Sequence, residues 1–191
     1  MIALSAGHYS EKPGACWPAD SHTWCEHDLA VHWVAQVALL VRQGVEVQIV
    51  PSGWLGDKVR FINGLADCKL AVELHFNSST SAKARGSETL YAPGSWKGRR
   101  AAETVQGFLA QVFPPDRGAK EGWYRQDLPG HVDYVGDVEG DEKKDYFLAK
   151  TAPVALIVEP EFIFNRATLE KLELSGCRAL AEGILAAYDQ L

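Results

Sequence analysis

Four side chains in this sequence could do metal-assisted hydrolysis if the fold gathered them. His8 follows the short apolar run MIALS, and His75 lies near the end of KLAVELHF. Glu159 ends APVALIVE, and Glu26 sits at the start of a long helical pattern. Two imidazoles and one carboxylate are a donor set suited to catalytic zinc, which keeps a further position for water. The remaining carboxylate could then serve as general base and afterwards as acid to the leaving group. Each residue also has an ordinary reading. A His after a strand is commonly a turn residue, a Glu in a first helical turn complements the helix dipole, and Glu159 could belong to an ion pair.

The segment AVELHFNS sharpens the question. Alternation along a strand puts Glu73 and His75 on one face and Val72, Leu74 and Phe76 on the other. Two titratable groups therefore share one side close to a strand end, where ligand crevices of open α/β sheets lie. Asn77 and Ser78 follow at once and could hydrogen-bond substrate amides or simply form a turn.

Positioning these residues requires several elements. Strands are expected at MIALS, VEVQIV (45–50), KLAVELHF, SETLY and APVALIVEPEF. Helical spacing runs from Thr23 to about Arg42 before Gly44, from Asp57 to Ala66, over 97–112, and from Thr168 to Leu185. Alternation of this kind predicts an α/β fold: a single three-layer α/β/α domain over 1–191, with a mostly parallel, mixed central sheet. Parallel strands side by side would bring the ends carrying His8, His75 and Glu159 to one edge, with the first helix starting nearby. From Pro114 to Asp145 no period holds, so that stretch reads as a long loop containing Trp123 and Tyr124.

Composition narrows the classes. With 191 residues, 47% hydrophobic and 23% charged, the chain is an ordinary globular one, and its net charge of −6 supplies no basic field for nucleic acid or an anionic membrane. No apolar run approaches the roughly 20 residues that span a bilayer. The opening MIALSAGHYS has no basic segment leading into a long apolar one, so no secretory leader is expected. The four cysteines form no CxxC pair. Cys16 and Cys25, with His22 and His27 close by, could make a small zinc knuckle or a disulfide, and reduced, partly buried thiols are the plainer expectation.

In order and spacing, SAGHYS, the Glu26 helix leading to VEVQIV, RFINGLADCKLAVELHFNSS, GSETLY and VALIVEPEFIFN resemble the zinc-dependent N-acetylmuramoyl-L-alanine amidases of the phosphorylase/hydrolase-like fold. The resemblance spans nearly the whole chain and is weakest from Pro114 to Asp145. It implies Zn²⁺ held by His8, Glu26 and His75, with Glu159 of VEPEFIFN as the catalytic carboxylate. The implied reaction is hydrolysis of the amide between N-acetylmuramic acid and L-alanine of the stem peptide, and the implied partner is peptidoglycan. A monomer is expected.

Departures from the family pattern stand at Glu73, where a small residue, commonly Ser, is usual, and at Glu161 and Phe164, where Gly and Ser are usual. Glu73 could orient a ligand or pair with a base. His22 and His27 lie near enough to Glu26 to compete with it as ligands. Some relatives carry a blocking helix between the second His and the catalytic Glu. Pro129, Gly130, Gly136 and Gly140 read poorly as such a helix, so an unblocked enzyme is expected. The lack of a leader beside an extracellular substrate suggests a phage endolysin, the rival being a catalytic domain from a longer exported protein. Two other functions fit the same residues: a zinc peptidase acting on another small peptide, and an inactive wall-binding domain.

Overall fold

The computed structural model describes residues 1–18, 24–122 and 145–191. Among them, six strands form one sheet in the order β2-β1-β3-β6-β4-β5. The strands are β1 (Ile2–Ala6), β2 (Val47–Ile49), β3 (Leu70–Leu74), β4 (Ser87–Tyr91), β5 (Asp116–Glu121) and β6 (Val154–Glu159). The helices are α1 (Glu26–Val41), α2 (Leu55–Asn63), α3 (Trp96–Leu109), α4 (Tyr146–Lys150) and α5 (Arg166–Tyr188). Strands β2, β1, β3 and β6 pair in parallel, β4 runs antiparallel to β6, and β5 is parallel to β4. The sheet is therefore mixed and mostly parallel, as its sequence implied.

Strand burial explains the continuous apolar runs. Every residue of β1 and β3 is buried, because helices cover both faces. On one face Ile2, Leu4, Val72, Leu74, Phe76, Leu156 and Val158 join a large core with α1, α3 and α5. Trp33 is fully buried there, edge-on to Phe76 at 5.3 Å and beside Phe113 at 6.0 Å. On the other face Ala3, Ala71, Ala155 and Ile157 pack against α2 and α4 through Leu55, Val59, Ile62, Phe147 and Leu148 in a smaller core.

The strand order places the crevice. From β1 the chain passes through α1 to β2 on one side, then through α2 to β3 on the other. The carboxyl ends of β1 and β3 thus flank a change in winding direction, the usual position of a ligand crevice in an open α/β sheet. His8 and His75 follow those two ends.

Three local expectations change. The stretch from Pro114 does not begin as a loop: Asp116–Glu121 is an edge strand beside β4, exposed enough that its sequence DRGAKE lacks the apolar alternation that would mark it. Asp145 caps the short helix α4, accepting a hydrogen bond from the Leu148 N–H at 3.1 Å. Cys16 and Cys25 are joined by a disulfide, which overturns the reduced-thiol expectation, while Cys68 and Cys177 are free. Nine residues apart, the two cysteines lie opposite each other in a β-bridge, a juxtaposition their spacing alone did not reveal. His22, Trp123, Tyr124 and the expectation of an unblocked site fall outside the described residues.

Candidate active site

Glu26 is the first residue of α1 and is buried, with 5% of its surface exposed. No side chain caps the helix; the loop before it does the work, Ala15 and Pro13 accepting from the N–H groups of Glu26 and His27, each at 2.9 Å. The disulfide, ending at Cys25, ties that loop to the helix start. The carboxylate so fixed meets both imidazoles: Oε1 lies 2.9 Å from His75 Nδ1 and Oε2 lies 3.0 Å from His8 Nε2. It also accepts from the backbone N–H groups of Phe76 at 3.2 Å and Ala15 at 3.3 Å.

Backbone shape brings the imidazoles in. His8 has φ +57°, a left-handed conformation uncommon outside glycine and often found at functional sites. Gly14, at φ +76°, leaves room for it: a Cβ there would stand 2.5 Å from the His8 ring and 2.6 Å from Glu26 Oε2. A Cβ at Gly7 would strike the His75 ring at 2.6 Å.

His8, Glu26 and His75 each offer one donor atom within 4.8 Å of the others, and no other such group occurs among the described residues. Two imidazoles and a carboxylate suit zinc in number and type, and the close packing by Gly7 and Gly14 fixes their approach. The donor set therefore fits the metal the sequence implied. His27 is buried but points elsewhere, its Nδ1 2.8 Å from the Gly7 carbonyl and its Nε2 3.1 Å from Ser52 Oγ.

Glu159 closes β6 and is partly buried. In the register of β3 and β6, Leu74 faces Val158, and the His75 N–H donates to the Val158 carbonyl at 2.9 Å. His75 and Glu159 are thus neighbours across the sheet edge, on the face that also carries Glu73.

Electrostatics follow the contacts. Burial alone would raise the Glu26 pKa, but hydrogen bonds from His75 and His8 outweigh it and hold the carboxyl far below its usual range. Burial would likewise raise Glu73, yet the Lys58 ammonium and His75 bring it down to about 2. The His75 imidazole is driven well above its ordinary value: burial opposes the charge, but the two carboxylates prevail.

Three features escaped the sequence. Glu161 is a buried bracket, one carboxylate oxygen accepting from the N–H groups of Phe162 and Gly86 and from Asn165 Nδ2 at 2.8–3.1 Å. Glu161 is therefore structural, joining the loop after β6 to the start of β4. Asn77 donates its side-chain amide to Glu88, and its backbone bonds the Glu161 carbonyl and the Ile163 N–H. Ser78, next along, is half-buried. Lys58 of α2, wholly unremarkable in sequence, reaches the site from the smaller core.

The fold is shared with solved amidases. A Clostridium difficile 630 N-acetylmuramoyl-L-alanine amidase superposes with TM-score 0.77 at 19% identity, over 98% of this chain and 96% of that one. The Nostoc punctiforme amidase AmiC2 gives TM-score 0.77 at 20% identity, over 100% and 98%. The catalytic domain of an endolysin targeting Clostridia difficile gives 0.67 at 23%, over 97% and 96%. No curated protein sequence matches. Residues 2–190 match the N-acetylmuramoyl-L-alanine amidase family Amidase_3, and the chain belongs to that family.

Proposed function

We propose that this amidase is zinc-dependent, with His8, Glu26 and His75 holding the metal and Glu159 moving the proton. The observation that supports this most directly is the convergence of three donor atoms within 4.8 Å, on the sheet edge where Glu159 lies beside His75. Zinc bound there would supply a Lewis acid and lower the pKa of a water toward about 7. Glu159 accepts the proton of the attacking water and returns it to the alanine nitrogen as the amide between the lactyl group and L-alanine breaks. Without that return the amine is a poor leaving group.

Asn77 and Ser78 are assigned to contacts with substrate amides. Because Asn77 Nδ2 donates to Glu88, the role falls to the Asn77 side-chain oxygen and to the Ser78 hydroxyl. The protein acts as a monomer on peptidoglycan outside the cytoplasm, where the Cys16–Cys25 disulfide suits the redox conditions. An endolysin fits this reading.

Metal content and release of amino-terminal alanine from purified peptidoglycan, measured together on the native protein and Glu159→Ala, test it. About one zinc in both, with release only in the native protein, is expected. A native protein without zinc, or one that cuts a different bond, overturns the reading. Turbidity loss when protein is added to permeabilised cells tests action from outside, and its size-exclusion elution volume tests the monomer.

A further inference from the structure

Glu73 and Lys58 form a buried ion pair directly behind the metal-binding candidates. Glu73 is 1% exposed and Lys58 3% exposed, and neither is needed for the reaction as proposed. One Glu73 oxygen, Oε2, lies 3.2 Å from His75 Nε2. The other, Oε1, accepts from Lys58 Nζ and from Ser5 Oγ, both at 3.1 Å. The carboxylate is thereby held from three sides, with one oxygen aimed at the imidazole.

His75 has two ring nitrogens in different surroundings. Nδ1 faces Glu26 at 2.9 Å, on the side of the donor cluster, while Nε2 faces Glu73, on the side away from it. Both neighbours are carboxylates, which can only accept, so a metal that takes Nδ1 on the side of the donor cluster leaves Nε2 as the nitrogen that carries the proton, toward Glu73. A metal-bound imidazole commonly donates its second N–H to a carboxylate, which fixes both tautomer and ring orientation.

Lys58 adds a second constraint. An ammonium has three protons, and here all three are engaged: besides Glu73, Lys58 donates to the Ala6 carbonyl and, at 2.8 Å, to the His8 carbonyl. Those carbonyls bracket Gly7, whose N–H donates to the Leu74 carbonyl at 2.8 Å. The same cation therefore binds the backbone that turns His8 inward and the carboxylate that orients His75. Its charge also compensates a carboxylate that would be costly to bury alone.

We propose that Glu73 and Lys58 are positioning residues: Glu73 accepts a hydrogen bond from the Nε2–H of His75 so that Nδ1 is offered to the metal, and Lys58 locks Glu73 to the His8 backbone. This inference rests on the metal reading above.

Zinc affinity by chelator competition, together with the imidazole nitrogen signals of ¹⁵N-histidine-labelled protein loaded with zinc, tests the proposal. The isosteric Glu73→Gln variant is expected to bind zinc about tenfold more weakly, and the double variant Lys58→Met with Glu73→Leu about 10- to 100-fold more weakly. In the native protein His75 is expected to show a protonated, slowly exchanging Nε2, with that protection lost in the double variant. Native affinity in both variants, or a protonated Nδ1 in the native protein, overturns the inference while leaving the metal reading intact. Absence of zinc binding by the native protein removes both. Should the double variant fail to fold, Glu73→Gln decides by the same two readouts.

Discussion

The two faces of the sheet are built on opposite plans. The face covered by α1, α3 and α5 holds the larger apolar core, with Trp33, Phe76, Phe113, Leu109 and Leu180 fully or almost fully buried, and the buried Gln106 of α3 is satisfied by Ser87 and Thr89 of β4. Gly176 of α5 lets that packing close, since a Cβ there would stand 2.6 Å from Trp33 and 2.7 Å from Phe113. The face under α2 and α4 has fewer apolar residues and carries Ser5, Lys58 and Glu73 at its buried edge, then His75. Apolar burial drives folding without direction, whereas buried charges specify orientation at little net gain in stability. Stability rests mainly on the first face, while Glu73, Lys58 and His75 stand on the second and Glu26 meets His75 from the start of α1 at the sheet edge.

That division can be broken at either side. The largest expected effect belongs to the chemical edge: Glu159→Ala should lower turnover about 10²–10⁴-fold with little change in thermal unfolding, as checked by alanine release and calorimetry. Trp33→Ala on the opposite face should cost about 3–5 kcal/mol in urea unfolding while the folded fraction keeps its zinc stoichiometry. A Trp33→Ala protein that folds normally but binds no zinc would show that the faces are not separable.

Reduction of Cys16–Cys25 lies between the two plans, because the disulfide sits on the loop that caps α1 at Glu26. Loop closure of this length predicts a loss of roughly 2–3 kcal/mol on reduction, measured by urea unfolding with and without dithiothreitol. A fall in zinc affinity in the same samples would show that the loop also serves the site.

The smallest effect concerns pH. Glu73 has its pKa lowered from 4.5 to about 2 through Lys58 and His75, against the opposing effect of burial. A depressed carboxylate stabilises the fold above its unfolded value, and that contribution is lost as pH falls from about 4.5 through about 2. The metal-free Glu73→Gln variant should therefore show a shallower decline in unfolding free energy across that window than the native chain. Parallel curves would mean that the pair does not couple to folding.

Much of this was readable from residue order. Apolar runs at MIALS, KLAVELHF and VALIVE marked the strands because both faces of each are covered, and helical spacing marked α1, α3 and α5. The alternation in AVELHFNS set Glu73 and His75 on one side. Strand β5 was not readable, since an edge strand with the sequence DRGAKE needs no apolar face to pair with its neighbour. The disulfide was left among alternatives because two cysteines nine residues apart pair only if the loop between them folds back.

The sequence by itself determined the alternation of strands and helices, the motifs that resemble the family, and the four candidate site residues, His8, Glu26, His75 and Glu159. Tertiary structure alone decided which side chains meet. His8, Glu26 and His75 are far apart in the chain and converge because β1 and β3 are adjacent while α1 starts at their shared edge. It also decided the parts of Lys58 and Glu161, whose local sequence carries no sign of them: their partners lie on other elements, and electrostatics and hydrogen bonding act through space.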